Sequence, residues 1–102
     1  MRAAEHANIT LRYEAKPVGF VSYGAGSGGL RAVEQLRLVF AELHATTTRT
    51  GVVLTAPWER LDQHGRLVDD GPLGRAADAT LDELSWWGEA LRAARRHRPY
   101  GQ

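Results

Sequence analysis

Between Ser22 and Gly29 the chain reads Ser-Tyr-Gly-Ala-Gly-Ser-Gly-Gly, the stretch whose residue types and spacing point most directly to chemistry. Four glycines in six positions (24, 26, 28 and 29) let the backbone take positive φ and let a ligand approach the main-chain amides. Amides presented in this way suit an anionic or planar, polar-edged ligand. A plain turn between strand and helix is usually met by two glycines. The spacing Gly24-x-Gly26-x-x-Gly29 satisfies the dinucleotide pattern, but the next strand ends in Leu54-Thr55-Ala56 where a carboxylate should hold a ribose hydroxyl. A Walker loop fails too, because Gly29 is followed by Leu30-Arg31 instead of lysine and a hydroxyl residue. Ser22 and Ser27 stand where a nucleophile could sit, yet Ala25 occupies the first position of the Gly-x-Ser-x-Gly elbow, and nothing in the sequence places His44 or His64 beside Ser27. His6, His44, His64 and His97 show no metal-ligand spacing, and Asp62, Asp69 and Asp70 read as turn formers in preference to a calcium cluster. No catalytic residue and no metal ligand is therefore assigned.

The elements that position this stretch follow from periodicity. Val18 to Tyr23 is short, continuous and apolar, the pattern of a strand buried on both faces of a parallel sheet, and Gly19 leaves room for a helix packed close against it. Leu30, Val33, Leu36, Val39, Phe40 and Leu43 recur at spacings of three and four and predict an amphipathic helix over 30–43, with Ser27 as its N-cap. Arg31, Glu34, Gln35, Arg37 and Glu42 fall on its polar face, where Glu34 can pair with Arg31 or Arg37. Residues 46–55, ending in Val52-Val53-Leu54-Thr55, predict a second strand, which makes a right-handed βαβ unit. A loop with two turn signals fills 60–72. From Leu73 to about His97 a helix buries Leu81, Leu84, Trp87, Leu91 and Ala94, and its end carries Arg92, Arg95, Arg96, His97 and Arg98, where the macrodipole favours cations. Ile9 to Tyr13 alternates like a half-buried strand or forms the tail of a helix, and residues 1–8 are expected to fray.

Composition narrows the classes. The 102 residues make a single domain, with 13 basic against 12 acidic side chains and a net charge of +1, so no global field points to nucleic acid or an anionic membrane. With no cysteine there is no disulfide framework and no thiol nucleophile. Neither a signal core nor an apolar run of the roughly 20 residues that span a bilayer is present, which makes a cytoplasmic location the expectation. Of the three tryptophans, Trp87 reads as core and Trp86 as an edge residue facing a partner or substrate. Trp58, just past a strand end, is a candidate ligand wall, since open α/β sheets place their crevice there.

Lys16-Pro17-Val18-Gly19-Phe20-Val21-Ser22-Tyr23-Gly24, the loop to Gly29 and the helix start Leu30 to Arg37 resemble the NADPH-dependent FMN reductase family. So do the strand ending in Pro57-Trp58-Glu59 and the following Leu61-Asp62-x-x-Gly65-Arg66-Leu67, and the resemblance runs on to Arg95. It covers the C-terminal half of the family's flavodoxin-like domain. The implied fold is α/β: a partial flavodoxin-like parallel sheet, with a βαβ unit plus a C-terminal helix, residues 16–97 being family-like and 1–15 not. The resemblance implies FMN as cofactor and NADPH as electron donor, with free flavin or a quinone-type molecule as acceptor. Ser22, Tyr23, Gly24, Gly26, Ser27, Gly28 and Gly29 then border the isoalloxazine, with Trp58 toward the substrate. Hydride transfer between nicotinamide and flavin needs no acid or base from the protein; stacking geometry and amides that stabilise charge on the reduced ring carry it. The family's phosphate-binding loop after its first strand has no counterpart here. The chain therefore reads as a truncated domain that needs a homo-oligomer or a complementing chain, or else as a non-catalytic interaction module. If FMN binds, Gly28→Val abolishes binding by a clash and Arg96→Ala leaves it nearly unchanged.

Overall fold

A computed structural model describes residues 12–68 and 71–101. Its strands are β1 (Pro17–Val18), β2 (Val21–Gly24), β3 (Thr46–Thr47) and β4 (Val52–Thr55), and its helices are α1 (Leu30–Glu42) and α2 (Pro72–His97). A 3-10 turn at Pro57–Arg60 follows β4. All pairing between the strands is parallel: β1 lies on β3, with Pro17 opposite Thr46, and β2 lies on β4, with Val21 opposite Val52 and Gly24 opposite Thr55. The chain is thus the α/β, partly flavodoxin-like arrangement, strand–helix–strand followed by a long helix. Arg12 and Tyr13 are helical, so the strand alternative fails for them, because Tyr13 sets its ring edge-on against Phe40 at 5.4 Å. Residues Ile9 to Leu11 lie outside the described residues.

Each predicted strand is broken once. Two residues (Gly19, Phe20) separate β1 from β2, whereas four (Thr48 to Gly51) separate β3 from β4. The longer segment throws backbone groups off the ladder, and both helices recover them. From α2, the Glu83 carboxylate accepts from Arg49 N–H (2.7 Å), Thr50 N–H (3.0 Å) and the Thr50 hydroxyl (2.8 Å). From α1, Arg37 donates to the Thr48 carbonyl (2.6 Å) and Thr47 Oγ1 (3.1 Å), with its guanidinium 5.1 Å from the centre of the Phe20 ring. Thr48, at the middle of this clasp, is fully buried and donates its hydroxyl to the Thr50 carbonyl at 2.7 Å. Arg37 therefore leaves the polar face assigned to it. It lies one turn beyond Val33, in line with the buried side of the helix, and its stem can pass inward while its head finds carbonyl and ring.

The Thr50 and Arg49 amides hold the Glu83 carboxyl below its ordinary 4.5, with the Thr50 hydroxyl and the Arg37 charge adding to them against partial burial. A lowered carboxylate pKa contributes stability above the unfolded value, and that contribution is lost as pH falls through the folded value. Glu83→Gln should therefore cost about 1.5 kcal/mol near neutral pH. In urea denaturation the gap between the two proteins should close as the pH falls below the ordinary 4.5 and through the lowered folded value. A gap that stays constant with pH would mean that the carboxylate charge contributes nothing to the clasp.

The core is small. Phe20, Val33 and Val52 are buried, and Phe20 meets Phe40 at 6.0 Å between ring centres. The close approach expected at Gly19 is present: a Cβ there would lie 3.0 Å from Leu84 Cδ1 of α2. The expectation that the first strand is buried on both faces is overturned, for Val21 is 71 % and Tyr23 70 % exposed. Parallel register puts Val21, Tyr23, Val52 and Leu54 on one face. On that face α2 packs mainly against β1 and β4, so β2 stays uncovered. The same cause leaves Leu81 exposed on α2, while Thr80 takes the buried position and donates its hydroxyl to the Ala76 carbonyl (2.8 Å). Leu84, Trp87 and Leu91 are partly buried as expected, and Ala94 is exposed. On α1, Leu36 and Val39 of the periodic face are exposed as well. Asp62 is the turn former it was read as, its Oδ1 accepting from His64 N–H (2.8 Å) and Arg66 N–H (2.9 Å).

Candidate functional site

The glycine loop leaves β2 at Gly24 and enters α1 at Leu30, at the C-terminal edge of the β2–β4 pair. Gly29, and not Ser27, is the N-cap; it sits at φ 83°, and no side chain caps the helix. The residue that must turn left-handed here is the last before the helix, and only glycine does so without strain. Gly28 is also left-handed, at φ 68°.

Three of the four glycines are demanded by the loop's own packing. A Cβ on Gly28 would stand 2.3 Å from Val53 Cγ1, one on Gly29 2.7 Å from the Tyr23 carbonyl oxygen, and one on Gly24 2.9 Å from the Gly29 nitrogen. Gly26 differs: nothing lies within 4 Å of the position its Cβ would take. The clash expected of Gly28→Val is therefore with the chain's own β4, and Gly26 is the one glycine of the four whose side the fold leaves open.

The N–H groups of Gly26, Ser27, Gly28 and Gly29 donate to no carbonyl among the described residues. Gly28 is buried and Gly29 half-buried, so with no acidic residue in the first turn of α1 the exposed Gly26 and Ser27 present the outer edge of a positive, donor-rich rim. Ala25, Gly26 and Ser27 are exposed along it, and Tyr23 stands out from the strand below. Ala56 N–H donates to the Gly24 carbonyl (2.8 Å), which ties the end of β4 to the start of the loop. Ala56 itself takes φ 46° to turn the chain, and Trp58 follows on the 3-10 turn, 57 % exposed. Tyr23, the amide rim and Trp58 thus leave the sheet at one edge.

Ser22 goes elsewhere. Its hydroxyl is buried without a hydrogen-bond partner among the described residues, in a cavity of about 140 Å³ shared with Phe20, Val33 and Arg37 on the α1 side. The loop's chemistry is carried by main-chain N–H groups, with no titratable side chain in the rim itself. His44 follows the far end of α1, roughly 20 Å from Ser27 along the 13-residue helix, so it forms no nucleophile pair with that serine. Among the described residues no group of three or more His, Asp or Glu could hold a metal, and no helix is long and apolar enough to cross a membrane. The contacts that sequence reasoning missed are those of Arg37 and Glu83. Their one sequence signal is register: Arg37 falls four residues after Val33, and Glu83 immediately precedes Leu84.

A parallel strand–helix–strand unit with a glycine loop at the carboxyl ends of its strands is the α/β arrangement in which nucleotide- and flavin-binding domains place their ligand. The model of the family of NADPH-dependent FMN reductases matches residues 9–59, half of the chain, and the chain belongs to that family. The match takes in β1, β2, the loop, α1, β3, β4 and Trp58; Leu61 to Leu67 and α2 lie beyond it. Comparison with curated proteins and with solved structures finds no match.

Proposed function

We propose that this chain is a flavin reductase-like domain whose glycine loop receives the isoalloxazine of FMN. The observation that carries the proposal is the rim of Gly26 to Gly29, with four N–H groups undonated among the described residues and an open approach at Gly26. A flat ring with carbonyl and nitrogen acceptors along its edge fits such donors. Tyr23 and Trp58 would wall the ring, and Ser27 would border its edge, while Gly24, Gly28 and Gly29 hold the loop's shape. When bound, FMN supplies the acceptance of hydride from NAD(P)H. The chain's part is to orient the ring and to place amide donors where negative charge grows on it.

The FMN phosphate needs a holder other than this loop. We assign that role to a second copy of the chain or a companion segment, because β2 pairs only with β4 among the described residues and leaves Val21 and Tyr23 bare on its face. Unpaired edges and apolar faces are unstable in isolation. The same bare face supports a second reading, in which the domain is a non-catalytic module that completes a partner's sheet.

Titration of the purified chain with FMN, followed by quenching of flavin fluorescence and with the mass in solution measured alongside, separates the two. Saturable binding by a defined oligomer, followed by FMN-dependent NADPH oxidation, is the result expected of the reductase. A defined oligomer that binds no FMN would establish the module and end the reductase proposal.

A further inference from the structure

A second site opens at the other end of the sheet from the glycine loop. Where α1 ends, β3 begins and α2 finishes, the chain forms a solvent-open cavity of about 930 Å³. Ala41, Leu91, Ala94 and Pro99 give it short apolar walls, and His44, Arg95, His97, Arg98 and Tyr100 supply its polar groups. Small-molecule sites combine a volume of this order with an apolar lining and a few convergent polar groups.

Two observations point to a ligand. The first is charge. No carboxylate lines the cavity among the described residues, while two guanidinium groups do. Arg95 donates to the Ala15 carbonyl, but Arg98 forms no hydrogen bond or ion pair with a described residue through its side chain. The C-termini of α1 and α2 oppose this with roughly half a negative charge each. The last carbonyls of α1 are already taken, by His44 N–H to Ala41 (3.0 Å) and Ala45 N–H to Phe40 (2.9 Å). Among the described residues the balance at the cavity stays positive.

The second is the fixed imidazole of His44. This residue occupies the left-handed position that closes α1, at φ 63°, where glycine would sit freely. Its imidazole Nδ1 lies 2.9 Å from the Tyr100 hydroxyl, with the two rings edge-on at 5.7 Å between centres, across 56 positions of sequence. The left-handed turn is held by the two hydrogen bonds that close α1, so the observation that bears on a ligand is the imidazole, which Tyr100 fixes at the cavity wall.

We infer that this cavity binds a small aromatic ligand carrying one terminal anionic group, a carboxylate or a phosphate. The aromatic body lies against the alanine, leucine and proline walls and the Tyr100 edge, and Arg98 takes the anion. The inference involves no residue of the glycine loop and stands apart from flavin binding.

The test uses three probes on one aromatic frame: 2-naphthoate, 2-naphthyl phosphate and the neutral 2-naphthamide, titrated into the full chain and followed by NMR. Saturable shifts of the His44, His97 and Tyr100 ring signals are expected with the anions, whichever binds tighter identifying the natural group. The amide should bind about tenfold more weakly. Arg98→Glu, with its remaining amide spectrum unchanged, should lose about tenfold or more in affinity for both anions. Ala94→Trp, which sets a large ring into the apolar wall and leaves the charges in place, should weaken binding of both anions about tenfold or more. Equal binding of amide and anions, shifts centred on Val21 and Tyr23 in place of the cavity, or full affinity in either variant would overturn the inference.

Discussion

Gly28→Val should destabilise the domain by about 4 kcal/mol, whether or not flavin is present. Two terms add. At φ 68° a β-branched residue sits in left-handed backbone that only glycine enters freely, which costs about 1–2 kcal/mol. Its Cβ would also stand 2.3 Å from Val53 Cγ1 and 3.3 Å from Thr55 Oγ1. Valine 53 has one rotatable side-chain bond and cannot fold away as a lysine tip would, so the loop or β4 must shift, at about 1–3 kcal/mol more. For a domain of this size the thermal midpoint should fall by roughly 15–20 °C. A Gly28→Val protein that melts with the wild type would show that the loop does not pack on β4 as described.

Arg37→Ala is expected to cost about 3 kcal/mol, more than the loss of any other charged side chain of α1. The substitution removes a charge-assisted hydrogen bond to the Thr48 carbonyl at 2.6 Å and a second bond to Thr47 Oγ1. It leaves the carbonyl of a fully buried residue without its partner, and an orphaned buried acceptor costs more than the bond itself was worth. The guanidinium also lies over Phe20, in a core with few other large side chains. Arg37→Lys should recover less than half, because one ammonium cannot serve carbonyl, hydroxyl and ring together. Guanidinium denaturation of the three proteins gives the comparison. Equal stability of Arg37→Ala and the neighbouring Leu38→Ala would mean that the clasp holds nothing.

These two residues also show where sequence reasoning reached and where it stopped. The helix over 30–43 appeared as Leu30–Glu42, and the long helix from Leu73 to His97 as Pro72–His97, because a 3.6-residue period is a local property of the chain. The parallel strand pair was legible for a similar reason, as two apolar runs joined by a helix. The break between β3 and β4 was not legible, since Thr48-Arg49-Thr50 has the composition of a strand and its departure from the ladder depends on Glu83, more than thirty residues away. Polar type misassigned Arg37, whose position on the wheel already faced the sheet. The exposure of Val21 and Tyr23 was hidden too, because an apolar run reports what could be buried and α2 decides what is. Within the loop, glycine count alone suggested a ligand, whereas packing divides the four into three that the fold requires and one, Gly26, that it does not.

That division supplies the most direct measurement: FMN titration of the wild-type chain beside Gly26→Val, with the thermal midpoint of each recorded. Nothing lies within 4 Å of the Cβ at Gly26, so the substitution should leave the midpoint within a few degrees of wild type, while a valine above the amide rim keeps the ring off and weakens FMN binding about a hundredfold. Unchanged FMN affinity in Gly26→Val at full stability would contradict the placement of the flavin on this loop.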